Sequence, residues 1–261
     1  MDELGVPVAE IAPGVFVATA EMYITTTTVV AGADGGCLLI DPAVTVADLA
    51  ALAGWLSARA LRPVAGWSTH PHWDHLLWSA AFGEAPRYAT PRAVAVSARE
   101  LPGLVGDVRQ AAPGHDLTRF ARVEPLLGRE IDWAGPRAVV YAHDAHAPGH
   151  GAVLLPDAGV LIAGDMLSDL EIPLPDLASA DPFGGYREGL ELLAGLPGVH
   201  RVVPGHGHVG DQAEFARRID ADRGYLDATE AGADCADPRL TQEWLRAEHA
   251  RHRELARTRR R

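Results

Sequence analysis

The chain has 261 residues, which is long enough to bury a core and to fold as one layered domain. Its apolar share of 48% and charged share of 22% are those of a globular protein, and they exclude a fibrous or disordered class. The formal net charge of −12 repels polyanions, so we expect a small-molecule substrate and no nucleic-acid partner.

Short apolar runs between Gly and Pro residues predict β-strands, because they are brief and rich in β-branched residues. Eight runs fit this pattern: 15–18, 23–31, 37–40, 64–68, 138–142, 152–155, 160–163 and 201–203. Helical spacing of apolar residues predicts helices at 46–61 and 91–100, so the class is mixed α and β. From 101 to 133 Gly and Pro residues become frequent, and we expect a loop-rich excursion with little helix, of the kind that often borders an active site.

Two helices are predicted near the C-terminus. Asp211 with Glu214 three residues later resembles a capping box at the start of the first helix, and spaced apolar residues predict a second helix from Pro238. We expect a single domain over 1–261, with the C-terminal helices of 211–261 packed on it or extending it.

The densest group of ionisable residues is the hexapeptide His70-Pro-His-Trp-Asp-His75, which follows the strand predicted at 64–68. Three imidazoles and one carboxylate within six residues form a dense set of metal ligands. Because residues two apart point the same way in an extended turn, His70 and His72 can share one ion while Asp74 and His75 turn toward a second. The alternative is a surface histidine cluster at a strand end.

Two metal ions need more ligands than this hexapeptide supplies. We assign three further ligands beside predicted strands: His150, Asp165 and His206. Asp165 and His206, like His70, follow the carboxyl ends of strands, where α/β folds collect functional groups.

Other histidines are set apart by their context. His115 follows a Pro-Gly pair, as His150 does, but no strand adjoins it, so we exclude it as a ligand. His208 and His143 are assigned to the rim of the site or to supporting positions behind the ligands.

Four motifs in this order resemble the signature of the metallo-β-lactamase superfamily: His70-Pro-His-Trp-Asp-His75, Pro148-Gly-His150, Gly164-Asp165 and Pro204-Gly-His206. The resemblance implies an α/β fold, namely an αββα sandwich of two mixed β-sheets flanked by helices, with two metal ions at one edge. It also implies which residues hold each ion: His70, His72 and His150 the first, Asp74, His75 and His206 the second, with Asp165 bridging the two.

The same family carries an Asp after its early strand, which Asp41 matches. We expect this carboxylate to orient a ligand imidazole, although a turn-forming role before Pro42 is the alternative. Two features depart from the family pattern. Only 14 residues separate His150 from Asp165, and Leu76-Leu-Trp-Ser79 replaces the usual Gly-Gly-Asn, so we expect an altered pocket wall.

A carboxylate at Asp165 resembles glyoxalase II and lactonase-like members more than true β-lactamases. The implied function is a dinuclear metal-dependent hydrolase, in which hydroxide from a shared water attacks the carbonyl of a small ester, thioester or lactone. Zn²⁺ is the first expectation for the two divalent ions, and Fe or Mn also suits such ligands. Asp74 is expected to orient the water. A mononuclear iron persulfide dioxygenase and a β-lactam hydrolase are the alternatives.

The expected compartment is the cytoplasm. Cys37 and Cys235 lie far apart in unlike contexts, so no disulfide framework is indicated. The first residues carry Asp2 and Glu3 rather than a basic segment, and no apolar stretch reaches the length of a membrane span. We therefore expect no membrane partner, while the oligomeric state stays open.

Overall fold

Two mixed β-sheets lie face to face between two layers of helices in the computed structural model, which describes residues 7–233 and 235–259. The larger sheet contains seven strands, neighbours in chain order: β1 (Val8–Ala12), β2 (Val15–Thr19), β3 (Thr26–Ala31), β4 (Gly36–Ile40), β5 (Arg62–Trp67), β6 (Arg87–Ala89) and β7 (Glu124–Pro125). The smaller sheet contains five strands: β8 (Val139–His143), β9 (His150–Leu155), β10 (Val160–Gly164), β11 (Arg201–Pro204) and β12 (Gly210–Asp211). The helices are α1 (Val46–Ala58), α2 (Pro91–Ala111), α3 (Pro182–Ala194), α4 (Gln212–Ala231) and α5 (Glu243–Arg259).

Parallel and antiparallel pairs occur in both sheets. The strands from β1 to β4 pair antiparallel and those from β4 to β7 parallel, whereas in the smaller sheet only β10 and β11 run parallel. The αββα sandwich expected from the sequence is thereby confirmed.

The central strands are buried on both faces, which explains why their sequences are continuously apolar rather than alternating. Successive side chains point to opposite faces. In β4, Leu38 and Ile40 belong to the core between the sheets, whereas Cys37 and Leu39 belong to the core beneath α1 and α2. A third core lies between the smaller sheet and the helices α3, α4 and α5. Three stacked cores therefore hold the four layers together.

Helix α2 is longer than the sequence predicts, and the loop-rich excursion expected from 101 to 133 is correspondingly shorter. The helix continues to Ala111 although it contains Pro102. Leu104 and Val108 are buried at helical spacing, so burial of this apolar face outweighs the low helix propensity of Pro and Gly. After Ala111 the chain is mostly irregular up to residue 133, as expected, apart from a short 3-10 turn at Leu117–Arg119 and the two residues of β7.

The C-terminal helices pack on the outer face of the smaller sheet. Asp211 caps α4 as predicted, since its side chain accepts a hydrogen bond from the backbone N–H of Glu214. Helix α5 begins at Glu243 rather than near Pro238, and its Leu245 is fully buried in the third core. No helix in the described part of the chain has the length and apolarity needed to cross a membrane. Met1 to Val6, the internal residue Asp234, and the terminal Arg260 and Arg261 lie outside the described residues.

We expect the stability of this layer to depend on pH through buried His252 on α5. Its ring is 1% exposed, its Nδ1 lies 2.8 Å from the Tyr225 hydroxyl, and burial lowers the pKa of His252 to about 4. An unfolded histidine titrates near 6.5, so the stabilising effect of a neutral His252 is complete above that pH and is lost as the pH falls toward 4.

We expect replacement of His252 by Phe to reduce the loss of unfolding free energy between pH 7 and pH 5 by about 2 kcal/mol. Urea unfolding at both pH values measures this change. The same substitution at the exposed His200 is the control and should leave the pH dependence as in the wild type. Equal pH dependence in the His252 variant and the wild type would contradict the prediction.

Candidate metal centre

The predicted ligands meet at one edge of the sandwich because the strands that precede them end there. Asp41 follows β4 and His70 lies three residues after β5, and these two strands run parallel. Asp165 follows β10 and His206 follows β11, which also run parallel. The carboxyl ends of two parallel pairs, one from each sheet, therefore face each other across the core.

The first cluster contains four donor groups within 4.8 Å of one another, contributed by His70, His72, His146 and Asp165. His72 Nδ1 lies 3.1 Å from Nε2 of His70 and 3.1 Å from Nε2 of His146. One Asp165 oxygen, Oδ2, lies 3.4 Å from each of the same two Nε2 atoms. Such a set of imidazoles around one carboxylate matches the donors that divalent transition metals prefer.

His150 lies in neither cluster, which corrects the assignment made from the sequence. It is the first residue of β9 and is paired with His143 of β8. The strand pleat directs its ring against the backbone of Gly164, where an added Cβ would come 2.1 Å from its Nε2. His146 instead lies in the loop before β9 and reaches over the sheet edge. His146 precedes His150 by four residues. With His146 as the ligand, the interval between this ligand and Asp165 is therefore four residues longer and no longer unusually short.

The second cluster contains Asp74, His75 and His206. Oδ2 of Asp74 lies 3.2 Å from Nε2 of His206 and 3.6 Å from Nε2 of His75. A short 3-10 turn, Trp73–His75, places Asp74 and His75 on this side of the hexapeptide. The structure thus divides the hexapeptide between two donor groups, with His70 and His72 in one and Asp74 and His75 in the other.

Asp165 lies between the clusters and contacts both. Its Oδ1 is 3.1 Å from His75 Nε2, and its Oδ2 is 3.3 Å from His206 Nε2. Burial opposes ionisation of this carboxyl group, but the rings of His206 and His75 hold its pKa well below the ordinary value. An ionised carboxylate at this junction is placed to bridge two cations.

Hydrogen bonds behind the clusters fix which ring nitrogen faces inward. The Thr69 hydroxyl donates to Asp41 Oδ2 at 2.6 Å, so it must accept from Nδ1 of His70, 3.0 Å away. His75 Nδ1 lies 2.9 Å from Asp41 Oδ2, and His146 Nδ1 lies 2.8 Å from the Leu174 carbonyl, so both rings donate there. The Nε2 lone pairs of all three histidines therefore point into the clusters.

The arrangement fits bound cations. Among the described residues, His75 Nε2 and Asp165 Oδ1 are buried, lie 3.1 Å apart and have no other hydrogen-bond partner. Burial also lowers the pKa of His146 to about 3, which keeps this imidazole in the neutral form that binds metals. With His75 in the neutral form that metal binding requires, two acceptors face each other in a buried site, and a cation between them would satisfy both.

Asp41 contacts the second cluster through His75, whose Nδ1 lies 2.9 Å from Asp41 Oδ2. The residue is 2% exposed and adopts a positive φ of 49°, and besides His75 it accepts a hydrogen bond from the Thr69 backbone N–H at 2.8 Å. We expect replacement of Asp41 by Asn to weaken metal binding about 10- to 100-fold, because an amide orients and polarises His75 less well.

Competition with a chromogenic chelator measures that affinity. Asn also tolerates positive φ, so the backbone should be preserved. Unchanged affinity in the Asp41→Asn protein would leave Asp41 only the turn-forming role.

The remaining histidines are placed as follows. His115 belongs to neither cluster and contacts the Val44 carbonyl through Nε2 at 3.0 Å. His208 is exposed and contacts Asp169 through Nδ1 at 2.8 Å, which places it at the rim. His143 lies behind His150, with its Nε2 3.2 Å from Nδ1 of that ring.

A cleft of about 510 Å³ opens over both clusters. Besides cluster residues, it is lined by Tyr23, Trp73, Glu171, Leu174 and Trp244. The expectation that Leu76 to Trp78 form part of the pocket wall is wrong, because these side chains are buried in the core beneath α1 and α2. The expectation that 101–133 borders the site is also wrong, because no residue of this segment lines the cleft. The C-terminal helices do contribute, through Trp244.

Comparison with known proteins identifies the family. The profile of the Metallo-beta-lactamase superfamily matches residues 22–206, most of the chain, and the match spans both clusters. The chain therefore belongs to the metallo-beta-lactamase superfamily.

Among proteins, the chain is 33% identical over 158 residues to hydroxyacylglutathione hydrolase of Rhodobacter capsulatus, which is 60% of this chain and 54% of that protein. The matched part thus spans about half of that relative's length. The chain is also 26% identical over 192 residues to hydroxyacylglutathione hydrolase of Acidiphilium cryptum, and the match covers 62% of this chain and 76% of that protein.

Among solved structures, a beta-lactamase domain protein from Burkholderia ambifaria has a TM-score of 0.71 at 17% identity, covering 95% of this chain and 88% of that chain. TTHA1623, solved in a di-iron-bound form, has a TM-score of 0.58 at 26% identity, and the match covers 77% of this chain and 96% of that chain. These likenesses agree with the fold derived above.

Proposed function

We propose that this protein is a dinuclear metal-dependent hydrolase of a small ester, thioester or lactone. The observation that carries the proposal is the position of Asp165, whose two oxygens lie 3.1 to 3.4 Å from histidines of both clusters. A single buried carboxylate between two donor sets is suited to hold two divalent ions close together. His70, His72 and His146 would hold one ion, and Asp74, His75 and His206 the other.

When bound, the two ions would supply a water of lowered pKa and a Lewis acid for the carbonyl oxygen. The protein's own residues supply orientation. His206 and His75 hold the pKa of the Asp74 carboxyl below its ordinary value, although burial opposes ionisation, so Asp74 is available to accept a hydrogen bond from the attacking water. Trp73 and Leu174 supply apolar wall beside the clusters, where the reacting carbonyl would lie.

Several observations favour acyl substrates over the alternatives. A mononuclear iron dioxygenase needs one cluster, whereas both donor sets are complete here. The Asp at 165 and the similarity to two hydroxyacylglutathione hydrolases favour esters and thioesters over β-lactams. Zn²⁺ is the metal that we propose, with iron as the second candidate because TTHA1623 was solved in a di-iron-bound form.

The test uses protein whose metal content is quantified, assayed with thioesters, lactones and β-lactams while oxygen uptake is recorded. We expect hydrolysis of at least one ester, thioester or lactone, two ions per chain and no oxygen consumption. Cleavage of β-lactams alone, or oxygen consumption with a persulfide substrate, would overturn the proposal.

A further inference from the structure

The walls of the cleft carry information about the substrate. Tyr23, Trp73, Leu174 and Trp244 supply aromatic and aliphatic surface next to the two clusters. The remaining wall residue outside the clusters is Glu171, which is half-buried. None of the described residues that line this cleft is an arginine, and the chain contains no lysine. Apart from ions held by the clusters, an anionic group in this cleft would therefore find no cationic side chain among the described lining residues, since Arg92 and Arg99 line the adjoining cleft beyond His72 and His146.

Tyr23 is presented to the cleft by an unusual backbone. Tyr23 and Ile24 have φ values of 59° and 50°, a conformation that is costly for bulky side chains. The Gly207 N–H bonds to the Ile24 carbonyl at 3.0 Å and fixes this turn to the segment that carries His206. The Tyr23 ring then lies edge-on to the His206 ring, with centroids 6.1 Å apart. Strain of this kind persists where the surrounding structure holds a functional side chain in place.

Trp244 reaches the cleft from the C-terminal helix α5. The adjacent Leu245 is fully buried in the third core, which anchors the first turn of this helix. The Trp244 side chain is 42% exposed, and its indole N–H donates to Gln242 Oε1 at 2.9 Å. A large, partly exposed aromatic side chain with a fixed orientation is suited to bind an apolar group.

We propose that this cleft binds an uncharged, apolar acyl group, with Tyr23 and Trp244 as binding residues, and that Glu171 disfavours acyl groups that carry a carboxylate. This inference rests on the proposed function, since it names the substrate class of the same site. It also assigns a role to the C-terminal helices, because α5 supplies one wall of the binding site.

Matched thioesters with one common thiol test the inference: acetyl, hexanoyl, and adipoyl, which is a hexanoyl chain ending in a carboxylate. We expect kcat/KM for hexanoyl to exceed that for acetyl and for adipoyl by at least about tenfold, because each buried methylene adds a favourable contribution. Trp244→Ala should lower the hexanoyl-to-acetyl ratio about tenfold. Glu171→Gln should lower the hexanoyl-to-adipoyl ratio by about the same factor. Leu127→Ala, at a side chain that is 91% exposed and does not line the cleft, is the control and should change neither ratio.

Binding is measured separately by titration calorimetry with methyl ketones that carry the same chains. Failure of every thioester to react would count against the proposed function, while tighter binding of the neutral ketone would still support the apolar cleft. Preference for the carboxylate-bearing chain, or ratios that neither cleft variant changes, would overturn the inference.

Discussion

Replacement of Asp165 by Asn is expected to remove at least one of two bound ions and to lower kcat/KM for the best acyl substrate about a thousandfold. The carboxylate contacts histidines of both clusters, with its Oδ1 3.1 Å from His75 and its Oδ2 3.3 Å from His206. An amide keeps the size of the side chain but loses its negative charge and one acceptor atom. Mass spectrometric metal quantification on the purified protein, together with steady-state kinetics, measures both effects.

The matched control is Asp157→Asn, the same substitution at an exposed residue in the turn between β9 and β10. It should retain both ions and the activity of the wild type. Far-UV circular dichroism distinguishes lost ligation from misfolding in the Asp165 variant. Two retained ions with unchanged kinetics would contradict the bridging role of Asp165.

Most of the fold follows from local patterns in the sequence, because the central strands are buried on both faces. A run such as Cys37-Leu-Leu-Ile40 is continuously apolar since alternate side chains enter two different cores. The last two strands of the larger sheet were not predicted, for the opposite reason. β6 (Arg87–Ala89) and β7 (Glu124–Pro125) are short and partly polar, and pairing with a neighbouring strand, which a local pattern does not encode, makes them strands. Pro102 and Gly103 similarly suggested an end to α2 that the burial of Leu104 and Val108 overrides.

The sequence predicts the part of the candidate site that comes from the hexapeptide and from residues at strand ends. Asp165 and His206 follow parallel neighbours, so their proximity follows from the topology. His146 was missed because two histidines, His146 and His150, flank the same Pro-Gly pair. Only the start of β9 decides between them, because strand pairing turns His150 inward and leaves His146 in the loop. Element boundaries are what sequence patterns place least well.

Replacement of His146 and of His150, each by Gln, should therefore have different effects. The His146→Gln protein is expected to hold about one ion instead of two and to lose hydrolysis about a hundredfold or more, since an amide is a much weaker ligand than imidazole. His146 faces His72 and Asp165, with Nε2 distances of 3.1 and 3.4 Å. The His150→Gln protein is expected to keep both ions.

The His150→Gln protein is expected to be less stable than the wild type, because His150 is fully buried between His143 and Gly164. A glutamine there buries an amide that has few partners, and a loss of about 1 to 3 kcal/mol of unfolding free energy is expected. Metal content and urea unfolding, measured on both variants with and without a chelator, separate ligation from packing. A chelator should destabilise the wild type and the His150 variant, since ions that bind only the folded state stabilise it. Loss of an ion from the His150 variant with full retention in the His146 variant would reverse the assignment and restore the ligand set predicted from the sequence.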